Sequence, residues 1–272
     1  MTPAADRWAA DLRSWAIPDE LLAAVDESPY GWPQEFWRRR SELARVEDEP
    51  VTTGIVRGLL GPEGVLADVG AGRGRASLPL AREGHRLVCV EKDPAMAAGL
   101  REDSAGLEVE VVEESWPAAS SQMSDVDVVM SAHVVYDVQD IGPFLLAMHR
   151  RARSGVVLEV TESHPWSSMA PYYRALHGLE RPTGPTATDL THVIREVLGV
   201  DSNIEWWERG GQLWFVDWDE IEAFYGRRLV LPLHRRGELR PLLATHVEER
   251  AGRLYVGGEA RRLATIWWAS DL

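Results

Sequence analysis

Residues 65–74, VLADVGAGRG, decide the fold of this chain. The first five residues are apolar, as in a buried strand, except for Asp68 near the strand's end. Glycine then stands at every second position, at Gly70, Gly72 and Gly74, before a helical pattern begins. Glycine is needed where the backbone takes a positive φ or where a ligand approaches closely. The stretch therefore predicts a strand, a tight ligand-binding turn and a helix, in that order.

A similar turn binds dinucleotides, and two residues beside the glycines separate the alternatives. The dinucleotide pattern has a third glycine three residues after the second, where this chain has Arg75. Asp68 would repel a pyrophosphate but attract an α-ammonium group, and S-adenosylmethionine carries such an ammonium and no phosphate. Glu91, at the end of the next predicted strand, can accept hydrogen bonds from both ribose hydroxyls of either cofactor and does not separate them.

Strands and helices alternate outward from this turn, which is typical of a parallel α/β sheet. We predict strands at 64–69, 85–90, 108–112, 126–131 and 155–161, and a last strand at 264–268. A helix is predicted before the first strand, at 51–60, and others between the strands, at 75–83, 94–102 and 141–153.

Two further regions flank this core. Residues 1–50 are predicted to form a helical arm, with a helix at 34–45, that closes over the cleft as a lid. Residues 51–272 are predicted to form the main domain. The interval of about 163–262 is rich in Pro and Gly and predicts an inserted lobe. Within it we expect helices near 168–178, 188–198 and 219–225 and a strand near 204–208.

The composition restricts the partners. Hydrophobic residues make up 45% and charged residues 26%, which is typical of a globular protein, and the net charge of −14 argues against nucleic-acid binding. The sequence has no signal peptide and no apolar run of the roughly 20 residues that a membrane span needs. The single cysteine, Cys89, excludes an internal disulfide, and the histidine spacing predicts no metal site. We expect a cytoplasmic monomer or homodimer that acts on small molecules.

The segment from Asp68 to Gly74, with Glu91 and the strand–helix order around them, resembles the class I S-adenosylmethionine-dependent methyltransferases. This resemblance covers 65–161 and the last strand. It implies a Rossmann-like α/β fold, with a mostly parallel seven-stranded sheet whose last strand is antiparallel, and S-adenosyl-L-methionine as cofactor. The cofactor-binding residues that it implies lie at or just after the ends of the first three strands: Asp68, Gly70, Ala71, Gly72, Glu91, Lys92, Glu114, Ser115 and Trp116.

A narrower resemblance extends over nearly the whole chain. The stretches WAIPDELLAAVDESPYGWP (15–33), HVVYDV (133–138), ESHPW (162–166), LHGLERPTGPT (176–186) and IWWAS (266–270) resemble a group of actinobacterial-type methyltransferases. Most of that group has no assigned substrate. The resemblance implies small-molecule methylation, in secondary metabolism, and supplies no catalytic residue.

Acceptor residues are predicted just past the fourth and fifth strands, because ligands bind outside the carboxyl ends of the strands near the switch in strand order. His133 is the candidate general base, since an ordinary histidine pKa near 6.5 suits that role; capping a helix or contacting the cofactor are the alternatives. Five residues are candidate substrate contacts, and core packing is the alternative role of the aromatic ones: Tyr30, Trp32, Tyr136, Glu162 and His164.

These observations predict a methyltransferase that acts on a small molecule, with an aromatic or heteroaromatic metabolite as the first candidate. Three alternatives stay open. The chain could methylate a protein or an RNA, or bind S-adenosylmethionine without catalysis as a regulatory or scaffold protein. An NAD-dependent oxidoreductase comes last, because of Asp68 and Arg75.

Overall fold

The computed structural model describes residues 2–30, 49–210, 213–257 and 260–270. The helix predicted at 34–45 and the candidate substrate residue Trp32 lie outside the described residues.

The described residues contain ten strands in two sheets. Their bounds are β1 (Val65–Val69), β2 (Arg86–Val90), β3 (Val109–Val112), β4 (Val126–Ala132), β5 (Ala152–Thr161), β6 (Asn203–Arg209), β7 (Leu213–Phe215), β8 (Val247–Arg250), β9 (Arg253–Val256) and β10 (Arg261–Ala269). The larger sheet has the order β3-β2-β1-β4-β5-β10-β6. Strands β1 to β5 are parallel, and β10 runs antiparallel to both β5 and β6. The predicted seven-stranded sheet with an antiparallel last strand is confirmed.

Ten α-helices accompany these strands in the described residues. Their bounds are α1 (Pro3–Ser14), α2 (Asp19–Leu22), α3 (Val51–Leu60), α4 (Leu78–Arg82), α5 (Pro94–Asp103), α6 (Ile141–Arg151), α7 (Ala170–His177), α8 (Ala187–Leu198), α9 (Trp218–Arg228) and α10 (Leu239–Leu243). One face of the large sheet packs against α3, α4 and α5, and the other packs against α1, α6 and α8. Because helices cover both faces, the central strands are mostly apolar, with single charged residues such as Asp68 in β1 and Glu159 in β5.

Helix α4 begins three residues later than the predicted helix at 75–83. Gly74 has a φ of 77°, in the left-handed region, so the chain stays in turns until Ser77. Arg75 consequently belongs to the turn and not to the helix, and its side chain reaches β5.

The predicted lobe at 163–262 is too broad. Helix α8 packs in the main core, and β6 completes the large sheet beside β10. The lobe itself comprises α7, α9, α10 and a small sheet of the order β7-β9-β8, around a separate apolar core. The three strands of that sheet were not predicted, because each is only three or four residues long.

The N-terminal arm joins both cores. Helix α1 contributes Trp8, which is 2% exposed, to the main core, and the Trp8 Nε1–H donates to the carbonyl of Val138 at 3.0 Å. Further along, Ile17 is buried in the core of the lobe, with Leu21 and Leu22 packed against that core. Helix α1 is thus part of the domain's interior, while the lid role of residues 1–50 stays a prediction.

Candidate active site

The strand order reverses direction at β1, which lies between β2 and β4. The loops that follow β1 and β4 therefore diverge, and the crevice between them is where open α/β sheets bind ligands. The two loops touch, since a Cβ placed on Gly70 would overlap the side chain of Val134. Val134 directly follows His133, so the loop that contains His133 contacts the glycine loop at this point.

The glycine loop has the backbone that its sequence predicts. Gly70, Gly72 and Gly74 have φ angles of 73°, 56° and 77°, which L-residues with side chains rarely adopt. A Cβ on Gly72 would meet no atom of the described residues within 4 Å, so a ligand can approach the backbone closely there. The loop is fixed to β2, because the Gly70 N–H donates to the Val90 carbonyl at 2.8 Å.

Asp68 lies beneath this loop at the end of β1 and is 1% exposed. Its Oδ2 atom is buried and has no hydrogen-bond partner among the described residues. Burial raises the pKa of the carboxyl to about 6, against the lowering effects of a hydrogen bond from Ser77 and the charge of Arg75. A buried carboxylate oxygen without a partner is suited to a cationic ligand.

The other predicted cofactor residues follow β2 and β3 at the same edge of the sheet. The Glu91 carboxylate accepts hydrogen bonds from the backbone N–H groups of Gly72 and Asp93, both at 2.8 Å, and joins the end of β2 to the glycine loop. The next residue, Lys92, is exposed. Glu114 accepts hydrogen bonds from the N–H and the hydroxyl of Ser115, at 2.7 and 2.8 Å.

Trp116 is held in place by its neighbours. Its Nε1–H donates to the Phe144 carbonyl at 3.1 Å, and the two rings meet edge to face with centroids 6.5 Å apart. Its ring is half-buried against the main core. The predicted role of Trp116 in cofactor binding stays a prediction for the part of the ring that is exposed.

His133 is the centre of a buried charged cluster that lies at the ends of β4, β5 and β6. Its Nε2 lies 3.0 Å from Oε1 of Glu159, which is 1% exposed. The guanidinium groups of Arg75 and Arg209 donate to the same oxygen at 3.3 and 3.4 Å. The Thr52 hydroxyl donates to the other oxygen, Oε2, at 2.7 Å.

Electrostatics makes the carboxylate the charged partner of this pair. Burial alone would raise the pKa of the Glu159 carboxyl, but the His133 hydrogen bond and the charges of Arg75 and Arg209 hold it well below its usual range. Burial lowers the pKa of His133, and the two arginines lower it further, against the opposite effect of Glu159. At neutral pH the cluster contains an ionised Glu159 and a neutral His133.

One candidate substrate residue, Tyr136, lies beside His133, and a second, His164, lies against Tyr136. The ring of Tyr136 stacks at 6.4 Å from that of His133, and His164 meets Tyr136 edge to face at 5.6 Å. The Tyr136 hydroxyl lies 2.7 Å from Oγ1 of Thr161 and accepts from the Thr161 N–H. Burial raises the pKa of Tyr136, so its hydroxyl stays protonated at neutral pH.

Glu162, His164 and Tyr30 also make contacts away from the ring of His133. Glu162 pairs with Arg262 at 2.8 Å, and both side chains are about half exposed. The His164 Nδ1 accepts from the Trp166 N–H at 3.2 Å, which stabilises the turn after β5. The ring of Tyr30 stacks on that of Trp166 at 6.0 Å.

Glu159 was missed by the sequence interpretation, although a signal was present. It is the only charged residue of GVVLEVT, residues 155–161, in a strand that is otherwise apolar or small. Glutamate is almost never fully buried unless it is paired, so a lone carboxylate in a core strand indicates a partner.

Fold and site together define a Rossmann-like domain with a glycine loop for the donor and a titratable cluster beside it. Residues 67–160 match a family model described as a methyltransferase domain. The match runs from β1 to β5 and includes the glycine loop, Glu91, His133 and Glu159. Residues 67–160 therefore carry a methyltransferase domain, and S-adenosylmethionine is the cofactor that such a domain implies.

The chain is also similar to solved structures. One is magnesium protoporphyrin IX methyltransferase from Synechocystis PCC 6803 with bound SAH, at 13% identity over 88% of this chain and 90% of that chain, with a TM-score of 0.48. Another is a TehB-like SAM-dependent methyltransferase from Corynebacterium glutamicum, at 15% identity over 85% and 96%, with a TM-score of 0.46. A third is YcgJ from Bacillus subtilis, at 11% identity over 81% and 98%, with a TM-score of 0.49. No curated protein sequence matches the chain.

Two features are absent from residues 2–30, 49–210, 213–257 and 260–270. Across those ranges, no helix has the length and apolar character to cross a membrane. Nor do the same ranges bring together three or more His, Cys, Asp or Glu side chains in a group that could hold a metal ion.

Proposed function

We propose that this protein transfers the methyl group of S-adenosylmethionine to a small molecule, with an aromatic or heteroaromatic metabolite as the first candidate. The observation that carries the proposal is the contact between the glycine loop and the loop that contains His133, at Gly70 and Val134. Donor and acceptor residues thereby border one crevice. The ring of Tyr136 beside His133, with His164 edge to face against Tyr136, favours a planar acceptor, and the net charge of −14 disfavours RNA.

On the donor side, Asp68 is assigned to the α-ammonium and Glu91 to the ribose hydroxyls. The partnerless Oδ2 of Asp68 and the open space above Gly72 both fit this group. When bound, S-adenosylmethionine supplies an electrophilic methyl group. The chain's own contribution is to hold the acceptor's nucleophile about 3 Å from that carbon and to exclude water.

On the acceptor side, His133 is assigned as the general base. It is neutral at neutral pH, as a base must be, and its side chain is 28% exposed, so a ligand can reach it. Tyr136 and His164 form an aromatic wall next to it. Tyr30 is assigned to the arm's contact with Trp166, and Glu162 to the rim of the site.

The test is methyl transfer from tritiated S-adenosylmethionine to phenols, nitrogen heteroaromatics, aliphatic amines, RNA and denatured protein. We expect label in the aromatic compounds. Label in RNA or protein alone would contradict the small-molecule assignment. Cofactor binding without transfer to any acceptor would favour the regulatory or scaffold alternative.

Replacing Asp68 by alanine is expected to weaken S-adenosylhomocysteine binding by about 1.5–3 kcal/mol, which is the usual contribution of a hydrogen bond to a charged group. Calorimetric titration measures the change. The matched control is Asp125→Ala, which removes an equal charge from the surface pair with Arg151 at the amino end of β4. Undiminished affinity in the Asp68 variant, or an equal loss in the control, would contradict the ammonium assignment.

The same carboxylate is expected to make cofactor affinity depend on pH. Since the pKa of Asp68 is raised to about 6 and the ammonium binds the ionised form, affinity should fall as the pH drops below about 6. The limiting slope is about tenfold per pH unit, and affinity should be constant between about pH 7 and 8. Titrations from pH 5 to 8 test this, with Asp68→Asn expected to remove the dependence. A wild-type affinity that is flat across the range would overturn it.

A further inference from the structure

Glu159 holds His133 through both its backbone and its side chain. The His133 N–H donates to the Glu159 carbonyl at 2.9 Å, and His133 Nε2 lies 3.0 Å from Glu159 Oε1. His133 has a φ of 62°, a left-handed conformation that residues with a side chain rarely adopt. Backbone strain of this kind persists only where the surrounding structure imposes it, and it is concentrated at functional sites.

The chemistry of this contact decides which imidazole nitrogen carries the proton. Glu159 is ionised, and an ionised carboxylate can only accept hydrogen bonds. Arg75, Arg209 and Thr52 all donate to it. The Nε2 of His133 must therefore be the protonated nitrogen. In the neutral ring the other nitrogen, Nδ1, then carries the lone pair that can accept a proton.

We propose that Glu159 is a positioning residue that fixes the Nε2–H tautomer of His133, so that Nδ1 acts as the base for a phenol-like hydroxyl acceptor. The inference rests on the proposed methyl transfer and names its acceptor class. A carboxylate beside the ring also stabilises the imidazolium that forms when the base takes the proton.

The transfer step balances with these groups. The acceptor oxygen forms a bond to the methyl carbon, the carbon–sulfur bond of the donor breaks, and its electron pair goes to sulfur. The hydroxyl proton passes to Nδ1 of His133, and the Nε2–H bond to Glu159 is strengthened as the ring becomes charged. The products are the methyl ether, S-adenosylhomocysteine and a proton that the ring later releases to water.

The strength of the base selects the acceptor. Among the described residues, Glu159 raises the pKa of this ring, Arg75 and Arg209 lower it, and the neighbouring Tyr136 stays protonated. Any histidine base takes a proton far more readily from a phenol, with a pKa of about 10, than from an aliphatic alcohol, whose pKa is close to that of water at about 16. The Tyr136 ring, stacked at 6.4 Å from that of His133, favours an aromatic acceptor at the same place.

The first test is spectroscopic and needs no acceptor. In the full chain with ¹⁵N-labelled histidine and bound S-adenosylhomocysteine, His133 should show a protonated Nε2 and an unprotonated Nδ1. Glu159→Gln should lower the pKa of His133 further and give a mixture of tautomers, because the charge that favours the Nε2–H form is lost. The control Thr52→Val removes the hydrogen bond to Oε2 of Glu159 and a hydroxyl contact with Thr265 but keeps the carboxylate, so it should keep the wild-type tautomer. A protonated Nδ1 in the wild type, or an unchanged spectrum in Glu159→Gln, would overturn the proposal.

The second test uses phenol and 4-nitrophenol as methyl acceptors. Glu159→Gln should lower kcat for phenol about 10²-fold at unchanged KM, and shift the acidic limb of the rate profile to lower pH. 4-Nitrophenol is largely ionised at neutral pH and needs no base, so its kcat should fall much less. Equal losses for both phenols would assign Glu159 a merely structural role and overturn the proposal.

Different results would overturn the hydroxyl acceptor and the proposed methyl transfer. A wild type that binds S-adenosylhomocysteine and methylates amines but neither phenol overturns the hydroxyl acceptor while methyl transfer stands. A wild type that does not bind S-adenosylhomocysteine overturns the proposed function itself.

Discussion

Replacing His133 by alanine is expected to lower turnover about 10²–10⁴-fold, the usual contribution of a general base, while cofactor affinity changes little. The physical reason is that the proposed mechanism has Nδ1 accept the acceptor's proton, whereas it assigns Asp68 and Glu91 to the donor. The measurement is kcat and KM for an acceptor found in the methyl-transfer assay, together with calorimetry of S-adenosylhomocysteine. A loss of tenfold or less would mean that positioning suffices and the acceptor is already nucleophilic.

Two observations separate loss of the base from other effects. Because only neutral His133 is a base and burial lowers its pKa, the wild-type rate should rise with pH through a value below 6.5. The control His133→Asn removes the ring but keeps a residue that tolerates the left-handed backbone, and it should lose activity as alanine does. Lost cofactor affinity with unchanged chemistry would instead assign His133 to the donor pocket.

Replacing Trp8 by alanine is expected to lower the free energy of unfolding by about 3–5 kcal/mol. The side chain is 2% exposed in the main core, so its removal leaves a cavity and deprives the Val138 carbonyl of a donor. Urea unfolding with an unchanged m-value measures the loss. The control Trp8→Phe keeps most of the packing and loses the hydrogen bond, and about 1 kcal/mol is expected from that alone.

The result for Trp8 bears on the N-terminal arm as a whole. A loss below about 1 kcal/mol in Trp8→Ala would mean that α1 is only loosely attached, and residues 1–50 would then act as one removable lid. The expected larger loss restricts any lid to the part of the arm after α1.

Much of the fold was predictable because it follows from local patterns. Helix α3 has the predicted bounds of Val51–Leu60, and the large-sheet strands agree to within a few residues. The central strands β1, β2, β4 and β5 are buried on both faces, so they appear as mostly apolar runs bounded by Gly, Pro and charged residues. The glycine loop was equally readable, since three left-handed positions require glycine at fixed spacing.

The charged cluster could not be predicted, because its members are far apart in the sequence. Thr52, Arg75, Glu159 and Arg209 come from a helix, a turn and two strands, and only the sheet order brings them to His133. The sequence pattern indicated of Arg75 only that it stands where the dinucleotide pattern has its third glycine. The strands β7, β8 and β9 were missed for a different reason, since they are stabilised by packing in the lobe and carry little periodicity of their own.

The central claim is that the crevice binds S-adenosylmethionine through the glycine loop, and calorimetric titration of the full chain with S-adenosylhomocysteine and with NAD tests it most directly. The account predicts a dissociation constant for S-adenosylhomocysteine on the order of 1 μM or lower, which corresponds to about −8 kcal/mol, and no measurable heat from NAD. Tight NAD binding, or no binding of S-adenosylhomocysteine at neutral pH, would contradict it.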